Sequence, residues 1–164
     1  METAHIGIGS NIGHKIENCK MAISLMGRLE GCSVRLQSPF YRTEPVGVEG
    51  QDTFVNGVIG LDTDLSAVTL LKHLLEIETD MGRVRRKKWD ARVIDLDILL
   101  FGAHIVDAPH LMVPHPLMHL RRFVLTPLLQ IAPDVIHPVL RRSIRELAGA
   151  LLEDGQAVEI YERS

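Results

Sequence analysis

The chain has 164 residues, the size of one domain, and its 46% hydrophobic and 24% charged residues are typical of a globular rather than a disordered protein. A formal net charge of −3 and a pI near 6.2 exclude a generally basic surface for polyanions, so any basic site must be local. No apolar run reaches the roughly 18 residues of a membrane-spanning helix, and no signal-peptide pattern is present, so we expect no membrane association. Cys19 and Cys32 have no metal-binding spacing, so we expect reduced thiols and a cytoplasmic protein.

The first third of the chain predicts a strand, a helix, a second strand and a loop. Residues 5–9 are a short apolar run followed by turn formers, which indicates a strand that enters a loop. From 15 to 29 the apolar residues recur at helical spacing. Residues 34–41 alternate weakly and contain Pro39, so we expect a strand that becomes an edge or a loop. Residues 43–53 have no period and predict a loop.

The rest of the chain predicts a strand at 54–61, a helix capped by Ser66, and a strand at 93–101 that is buried on both faces. The helix is expected to end at Gly82 and to bury one apolar stripe. That stripe consists of Val68, Leu71, Leu74, Leu75 and Met81. The remaining elements are an irregular segment at 109–116, helices at 123–131 and 143–152, and a closing strand at 158–161.

The predicted order is β-α-β-β-α-β followed by helices and loops. Such an order favours an α+β fold with a ferredoxin-like βαββαβ core and additional C-terminal helices and loops. No repeat or long linker divides the chain, so we expect a single domain over residues 1–164.

Two acidic residues, Asp95 and Asp97, lie in the most apolar predicted strand. Residues two apart in a strand point to the same face, so the two carboxylates project side by side. Like charges on a mostly dry strand need a partner, and hard carboxylate oxygens without a nearby cysteine suit Mg²⁺ or Mn²⁺. The alternative is that one carboxylate pairs with an arginine and the other faces water.

A basic segment precedes this acidic strand. It consists of Arg83, Arg85, Arg86, Lys87, Lys88 and Arg92. Arginine side chains match phosphate oxygens in fixed geometry, and a carboxylate pair that holds Mg²⁺ beside arginines is suited to a nucleoside triphosphate. The alternative is an ordinary solvated loop, which applies least to Arg92, three residues before Asp95.

Histidines and glycines give weaker signals. The spacing of His110, His115 and His119 fits no standard zinc set, and His115 could contact phosphate instead. Gly7, Gly9 and Gly13 resemble a dinucleotide-binding fingerprint, but the third glycine is one residue too far along the chain.

Several separate motifs resemble those of the 6-hydroxymethyl-7,8-dihydropterin pyrophosphokinase family of folate biosynthesis, over nearly the whole chain. The most specific is RVIDLDILLFG at 92–102. The others, in chain order, are GSN at 9–11, FYRTEPVG at 40–47, FVNG at 54–57, GRVR at 82–85, VPHP at 113–116 and RRF at 121–123.

The resemblance implies an ATP-dependent diphosphotransferase. It would transfer the pyrophosphoryl group of ATP to the hydroxymethyl oxygen of 6-hydroxymethyl-7,8-dihydropterin, giving AMP and the pterin diphosphate. Asp95 and Asp97 would hold two Mg²⁺ ions and act as catalytic residues together with Arg83 and Arg92. The sequence offers no obvious general base, so the metal is expected to activate the alcohol.

The resemblance also assigns the two substrates to separate groups of residues. ATP is expected to contact Arg83, Arg85, Trp89, Arg92, His115 and Arg121. The pterin is expected to contact Thr43, Pro45, Val46, Gly47, Phe54, Asn56 and Phe123, with the two phenylalanines stacked on its faces. Both partners are small molecules, and we expect a monomer that binds neither nucleic acid nor membrane.

Two residues depart from the family pattern near the ATP site. Asp90 stands where a glycine or alanine is usual, and it places a negative charge beside incoming phosphates. Pro116 replaces what is often a tyrosine near the triphosphate. These differences concern the geometry of the basic segment and the affinity for ATP rather than the reaction.

Two other functions are compatible with parts of the pattern. Another Mg²⁺-dependent phosphotransferase or a nucleotide hydrolase would use the same acidic pair and arginines without a pterin site. An RNA-binding module is known on ferredoxin-like sheets, but the net negative charge and the lack of an RNP-type aromatic motif disfavour it.

Overall fold

The structure, a computed structural model, describes residues 1–43, 54–82, 93–151 and 158–162, the last range as backbone only. Eight strands, four helices and a short 3-10 turn at Met118–Leu120 make up these ranges. The elements in chain order are β1 (Glu2–Ser10), α1 (Lys15–Gly27), β2 (Cys32–Gln37), β3 (Phe40–Thr43), β4 (Phe54–Thr63), α2 (Ala67–Asp80), β5 (Asp95–Phe101), β6 (Val106–Ala108), β7 (Leu111–Val113), α3 (Arg122–Ile131), α4 (Ile144–Gly149) and β8 (Val158–Glu162).

Six of the strands form one antiparallel sheet in the order β5-β1-β4-β3-β8, and β2 pairs with β4 beyond the end of β3. The break between β2 and β3 falls at Ser38 and Pro39, as the proline predicts. Ser38 keeps the chain beside β4 there, because its Oγ accepts a hydrogen bond from Val58 N at 3.0 Å. The arrangement confirms the ferredoxin-like βαββαβ core.

The sheet is covered on both faces. Helices α1 and α2 pack on one face, where Ala4, Ile6 and Ile8 of β1 are buried. Helices α3 and α4 pack on the other face, over Val58 of β4 and over Leu99 of β5. The additional C-terminal helices are therefore confirmed, and they cover part of the face that the first two helices leave free.

Helix α2 buries a different stripe from the predicted one. Ser66 does cap it, because its Oγ accepts a hydrogen bond from Thr69 N at 3.2 Å. However, Val68 is 58% exposed and Leu75 is 42% exposed, so these two assignments were wrong. The buried positions of the helix are Ala67, Leu70, Leu74, Ile77 and Glu78. The apolar residues of this helix surround more than one face, and the core takes the stripe that also contains an acid.

Two of the shorter elements agree with the sequence, and two regions differ from it. Helix α3 and strand β8 each lie within one residue of the ranges expected from the sequence, whereas α4 ends at Gly149 rather than 152. The segment expected to be irregular contains part of a small hairpin, β6 and β7. Among the described residues, no helix is long and apolar enough to cross a membrane.

The burial of α2 can be tested by a pair of substitutions. Leu70→Ala should lower the free energy of unfolding by about 2–5 kcal/mol, because Leu70 is fully buried and its removal leaves a cavity. The matched control Val68→Ala should change it by less than about 0.5 kcal/mol. Urea denaturation of both variants measures the difference. Equal losses would contradict the observed orientation of the helix.

Candidate active site

One row of residues crosses the sheet on the face that α1 and α2 do not cover. The register places Tyr41 of β3 opposite Asn56 of β4, Asn56 opposite Gly9 of β1, and Gly9 opposite Asp95 of β5. Directly paired residues point to the same face of a sheet. Four segments far apart in sequence therefore meet in one line, and the carboxamide of Asn56 lies two strands, about 10 Å, from the start of β5.

Asp95 and Asp97 lie on this same face, as the two-residue spacing predicts. Asp95 is half-buried and Asp97 is exposed, while Leu96 and Ile98 between and after them point into the core below α1 and α2. The strand is therefore amphipathic at its beginning, and the prediction of burial on both faces holds only from Ile98 onward. The two carboxylates are accessible to a ligand.

The strand that carries the two aspartates is fixed at its outer edge. β5 is the last of the described strands on this side of the sheet, and the Leu96 N–H, between the aspartates, donates a hydrogen bond to Glu78 Oε2 at 2.8 Å. Glu78 is only 4% exposed. Its importance was missed in the sequence, although an acid within a helical apolar stripe was the available signal. Glu78 ties helix α2 to the beginning of β5.

His115 lies beside the aspartates because its backbone N–H donates to Leu99 O of β5 at 2.9 Å. Burial lowers the pKa of its imidazole; the charge of Asp97 opposes that shift and the charge of Arg121 adds to it. His115 Nδ1 also accepts a hydrogen bond from Leu117 N at 3.1 Å. An imidazole that accepts at Nδ1 carries its proton on Nε2, so the neutral ring has one N–H to donate to a ligand.

Arg121 joins this group from the start of α3. Its guanidinium lies over the ring of Phe123, with 5.6 Å between Cζ and the ring centroid. Both side chains are half-buried. The structure thus brings together a predicted phosphate contact and a predicted pterin contact, and a cation–π interaction holds the two in one arrangement.

The remaining described pterin candidates lie on β3 and β4. Asn56 Nδ2 donates a hydrogen bond to Thr43 Oγ1 at 2.7 Å, and both side chains are buried. Phe54 is half-buried and pairs directly with Thr43. These three residues form a second group, separated from the aspartates by the glycines of β1.

The glycines of β1 have a structural rather than a nucleotide-binding role. Gly7 and Gly9 lie inside the strand, not in a turn before a helix, so the resemblance to a dinucleotide fingerprint has no structural counterpart. At Gly9 a Cβ would lie 2.9 Å from Asn56 Oδ1. The side chain of Asn56 therefore occupies the space that a larger residue at position 9 would fill.

Seven predicted site residues lie outside the described residues. They are Pro45, Val46, Gly47, Arg83, Arg85, Trp89 and Arg92. Their assignments remain predictions. The described part of the chain brings together Asp95, Asp97, His115 and Arg121 as one group, and Thr43, Phe54 and Asn56 as another.

The acidic pair suits Mg²⁺ better than a metal that needs a full protein cage. Within the described ranges, no group of three or more His, Cys, Asp or Glu side chains is arranged to hold a metal ion. Mg²⁺ commonly uses one or two carboxylates and completes its shell with water and substrate phosphates. Two adjacent carboxylates on an accessible strand fit that requirement.

Comparison with known proteins identifies the family. A family model described as 7,8-dihydro-6-hydroxymethylpterin-pyrophosphokinase matches residues 5–133. The 2-amino-4-hydroxy-6-hydroxymethyldihydropteridine pyrophosphokinase of Haemophilus influenzae is 40% identical over 138 residues, which cover 84% of this chain and 86% of that protein. The protein of the same name from Pseudomonas aeruginosa is 42% identical over 138 residues, 84% of this chain and 85% of its own.

Solved structures agree on the fold. Plasmodium falciparum HPPK-DHPS, in a crystal structure with pteroate, superposes with a TM-score of 0.74 at 15% identity. The match covers 90% of this chain and 42% of the Plasmodium chain, so this chain spans less than half of that protein. At this level of identity the likeness establishes the fold alone.

The environment of His115 leads to a prediction on pH. We expect its imidazole to titrate below the ordinary value of about 6.5 in NMR spectra of the free protein. Since the unfolded chain then binds a proton at higher pH than the folded chain, stability should fall as the pH decreases through that value. His115→Gln should weaken this part of the pH dependence. A His115 resonance that titrates above 6.5 would contradict the neutral assignment.

Proposed function

The chain belongs to the 7,8-dihydro-6-hydroxymethylpterin-pyrophosphokinase family, and on that premise we propose which residues bind the metal, the phosphates and the pterin. The protein is an ATP-dependent diphosphotransferase of folate biosynthesis. It transfers the pyrophosphoryl group of ATP to the hydroxymethyl oxygen of 6-hydroxymethyl-7,8-dihydropterin and releases AMP. The assignment of roles rests on the row across the sheet, which places Asp95 at one end and the amide of Asn56 two strands away from it.

The acidic group is proposed as the metal site. Asp95 and Asp97 would hold Mg²⁺, with two ions expected, through oxygens that share one face of β5. Bound there, Mg²⁺ would neutralise charge on the triphosphate and lower the pKa of the pterin alcohol. Glu78 keeps the strand in place by accepting from Leu96 N, so that both carboxylates stay aligned.

The phosphates are proposed to lie between this group and α3. His115 would donate its Nε2–H to a phosphate oxygen, and Arg121 would add a positive charge on the same side. The other proposed ATP contacts are Arg83, Arg85, Trp89 and Arg92. Of these, Arg83 and Arg92 are proposed to contact the transferred group. Their assignment rests on the family motifs and not on the described geometry.

The pterin is proposed to bind at the Asn56 end of the row, where α3, which carries Phe123, packs over Val58 of β4. Phe54 and Phe123 offer ring faces for stacking, and the amide of Asn56 offers polar atoms for the edge of the heterocycle. The remaining proposed contacts are Thr43 and the backbone groups of Pro45, Val46 and Gly47. A pterin held at this end would point its hydroxymethyl group toward β5, which positions the alcohol for in-line attack on the β-phosphorus of ATP.

The reaction is tested by product analysis. ATP and Mg²⁺ should give AMP only when 6-hydroxymethyl-7,8-dihydropterin is present, and chromatography of the nucleotides measures it. In the same assay, Asp95→Asn and Asp97→Asn should each lower kcat/KM by about 100-fold or more. The reason is that a lost metal contact removes several kcal/mol of transition-state stabilisation. Asp107→Asn is the matched control, since Asp107 is exposed on the β6–β7 hairpin.

Other products would contradict the proposal. ADP in place of AMP, or hydrolysis of ATP that ignores the pterin, would indicate another Mg²⁺-dependent phosphotransferase or a nucleotide hydrolase. Near-normal rates in both aspartate variants would contradict the metal site while leaving the reaction itself in place.

We further propose that the chain works as a monomer in the cytoplasm, on small molecules alone. Two free cysteines in the described chain and a net charge of −3 support a reducing compartment and no polyanionic partner. Light scattering should give a mass near the 18.3 kDa of one chain. A mass twice that value would contradict the monomer.

A further inference from the structure

The side chain of Asn56 is held from two sides, by Thr43 of the neighbouring strand β3 and by the close approach of Gly9 of β1. On one side, Asn56 Nδ2 donates to Thr43 Oγ1 at 2.7 Å. On the other side, Asn56 Oδ1 lies over Gly9, where a Cβ would be only 2.9 Å away. Asn56 is 7% exposed and Thr43 is 2% exposed, so water does not compete freely for these atoms.

The orientation of an amide decides which polar atoms it presents. The oxygen of a carboxamide accepts and its nitrogen donates, so a 180° rotation exchanges acceptor and donor at the ligand. With one N–H used on Thr43, Asn56 keeps its oxygen on the side of β1 and a second N–H for a ligand. The site therefore offers a defined acceptor–donor pair to a heterocycle edge.

We infer that Gly9 and Thr43 are positioning residues that fix the amide of Asn56 in one orientation for the pterin edge. This inference rests on the proposed function, because it takes Asn56 to be a pterin contact. Gly9 provides space for the oxygen, and Thr43 provides the acceptor for the nitrogen. Thr43 then acts through Asn56 with its side chain, which differs from the direct role that the family resemblance implies for it.

A neighbouring glycine provides the matched control. Gly7 lies two residues before Gly9 on the same strand and the same face, and a Cβ there would meet Leu99 side-chain atoms at 3.5 Å or more, an ordinary contact. At Gly9 the Cβ would meet the far end of a side chain. Gly9→Ala should therefore leave the strand intact and displace the amide, whereas Gly7→Ala should displace nothing.

The experiment measures KM for the pterin and for ATP separately, together with thermal unfolding. Gly9→Ala and Thr43→Val should each raise the pterin KM about tenfold, the effect of one lost polar contact, with the ATP KM changed less than twofold. Thr43→Ser retains Oγ and should restore the pterin KM to within about twofold. Gly7→Ala should leave the pterin KM at the wild-type value.

A double variant separates positioning from general loosening of the sheet. If both residues act through the same amide, Gly9→Ala combined with Thr43→Val should raise the pterin KM much less than the product of the two single effects. If the two substitutions instead damage the sheet independently, their effects on the pterin KM should multiply, and the melting temperature should fall as binding is lost.

The outcomes distinguish this inference from the proposed function. Asn56→Ala should raise the pterin KM at least as much as either positioning variant. If Asn56→Ala leaves the pterin KM unchanged, the assignment of Asn56 in the proposed function fails. If Asn56→Ala weakens pterin binding but Thr43→Val does not, the positioning inference alone is overturned. An equal rise of both KM values in Gly9→Ala would overturn it as well.

Discussion

The candidate active site depends on the pairing of β1 with its two neighbours. β1 lies between β4 and β5, and its register brings Asn56 and Asp95 into one row through Gly9. A shift of one residue in either ladder would turn one end of the row toward α1 and α2. The register is maintained by packing on the opposite face, where Ala4, Ile6 and Ile8 are buried against the two helices. Stability on one face of β1 thus determines geometry on the other.

The candidate site combines charged side chains with one neutral hydrogen-bond donor. The two aspartates bring negative charge to the place proposed for the triphosphate, and a metal ion held between them would offset that charge. Arg121 supplies a permanent positive charge, whereas burial keeps His115 neutral and able to donate from Nε2. A neutral donor adds directionality without further charge, so in the proposed site the charge of the triphosphate would be balanced by the metal ion and the arginines.

The sequence predicts those parts of the fold and of the site that depend on local spacing. The shared face of Asp95 and Asp97 follows from the two-residue period of a strand, and the structure confirms it. The stripe of α2 does not follow, because its apolar residues surround the helix and Glu78 lies at a core position. The contact between Asn56 and Thr43 depends on the register of β3 with β4, which is long-range information. The small β6–β7 hairpin has strands too short to show a period.

Strand β1 carries a glycine at position 9, although glycine is unfavourable inside a strand. A glycine inside a strand costs about 0.5–1 kcal/mol relative to alanine, because it orders a freer backbone and packs no side chain. At Gly9 the missing side chain leaves the space in which the amide of Asn56 lies. The buried residues on the opposite face of β1 offset the cost of the glycine. Alternation along a strand therefore allows β1 to stabilise the core with its even-numbered residues and to leave space for the side chain of Asn56 with its odd-numbered ones.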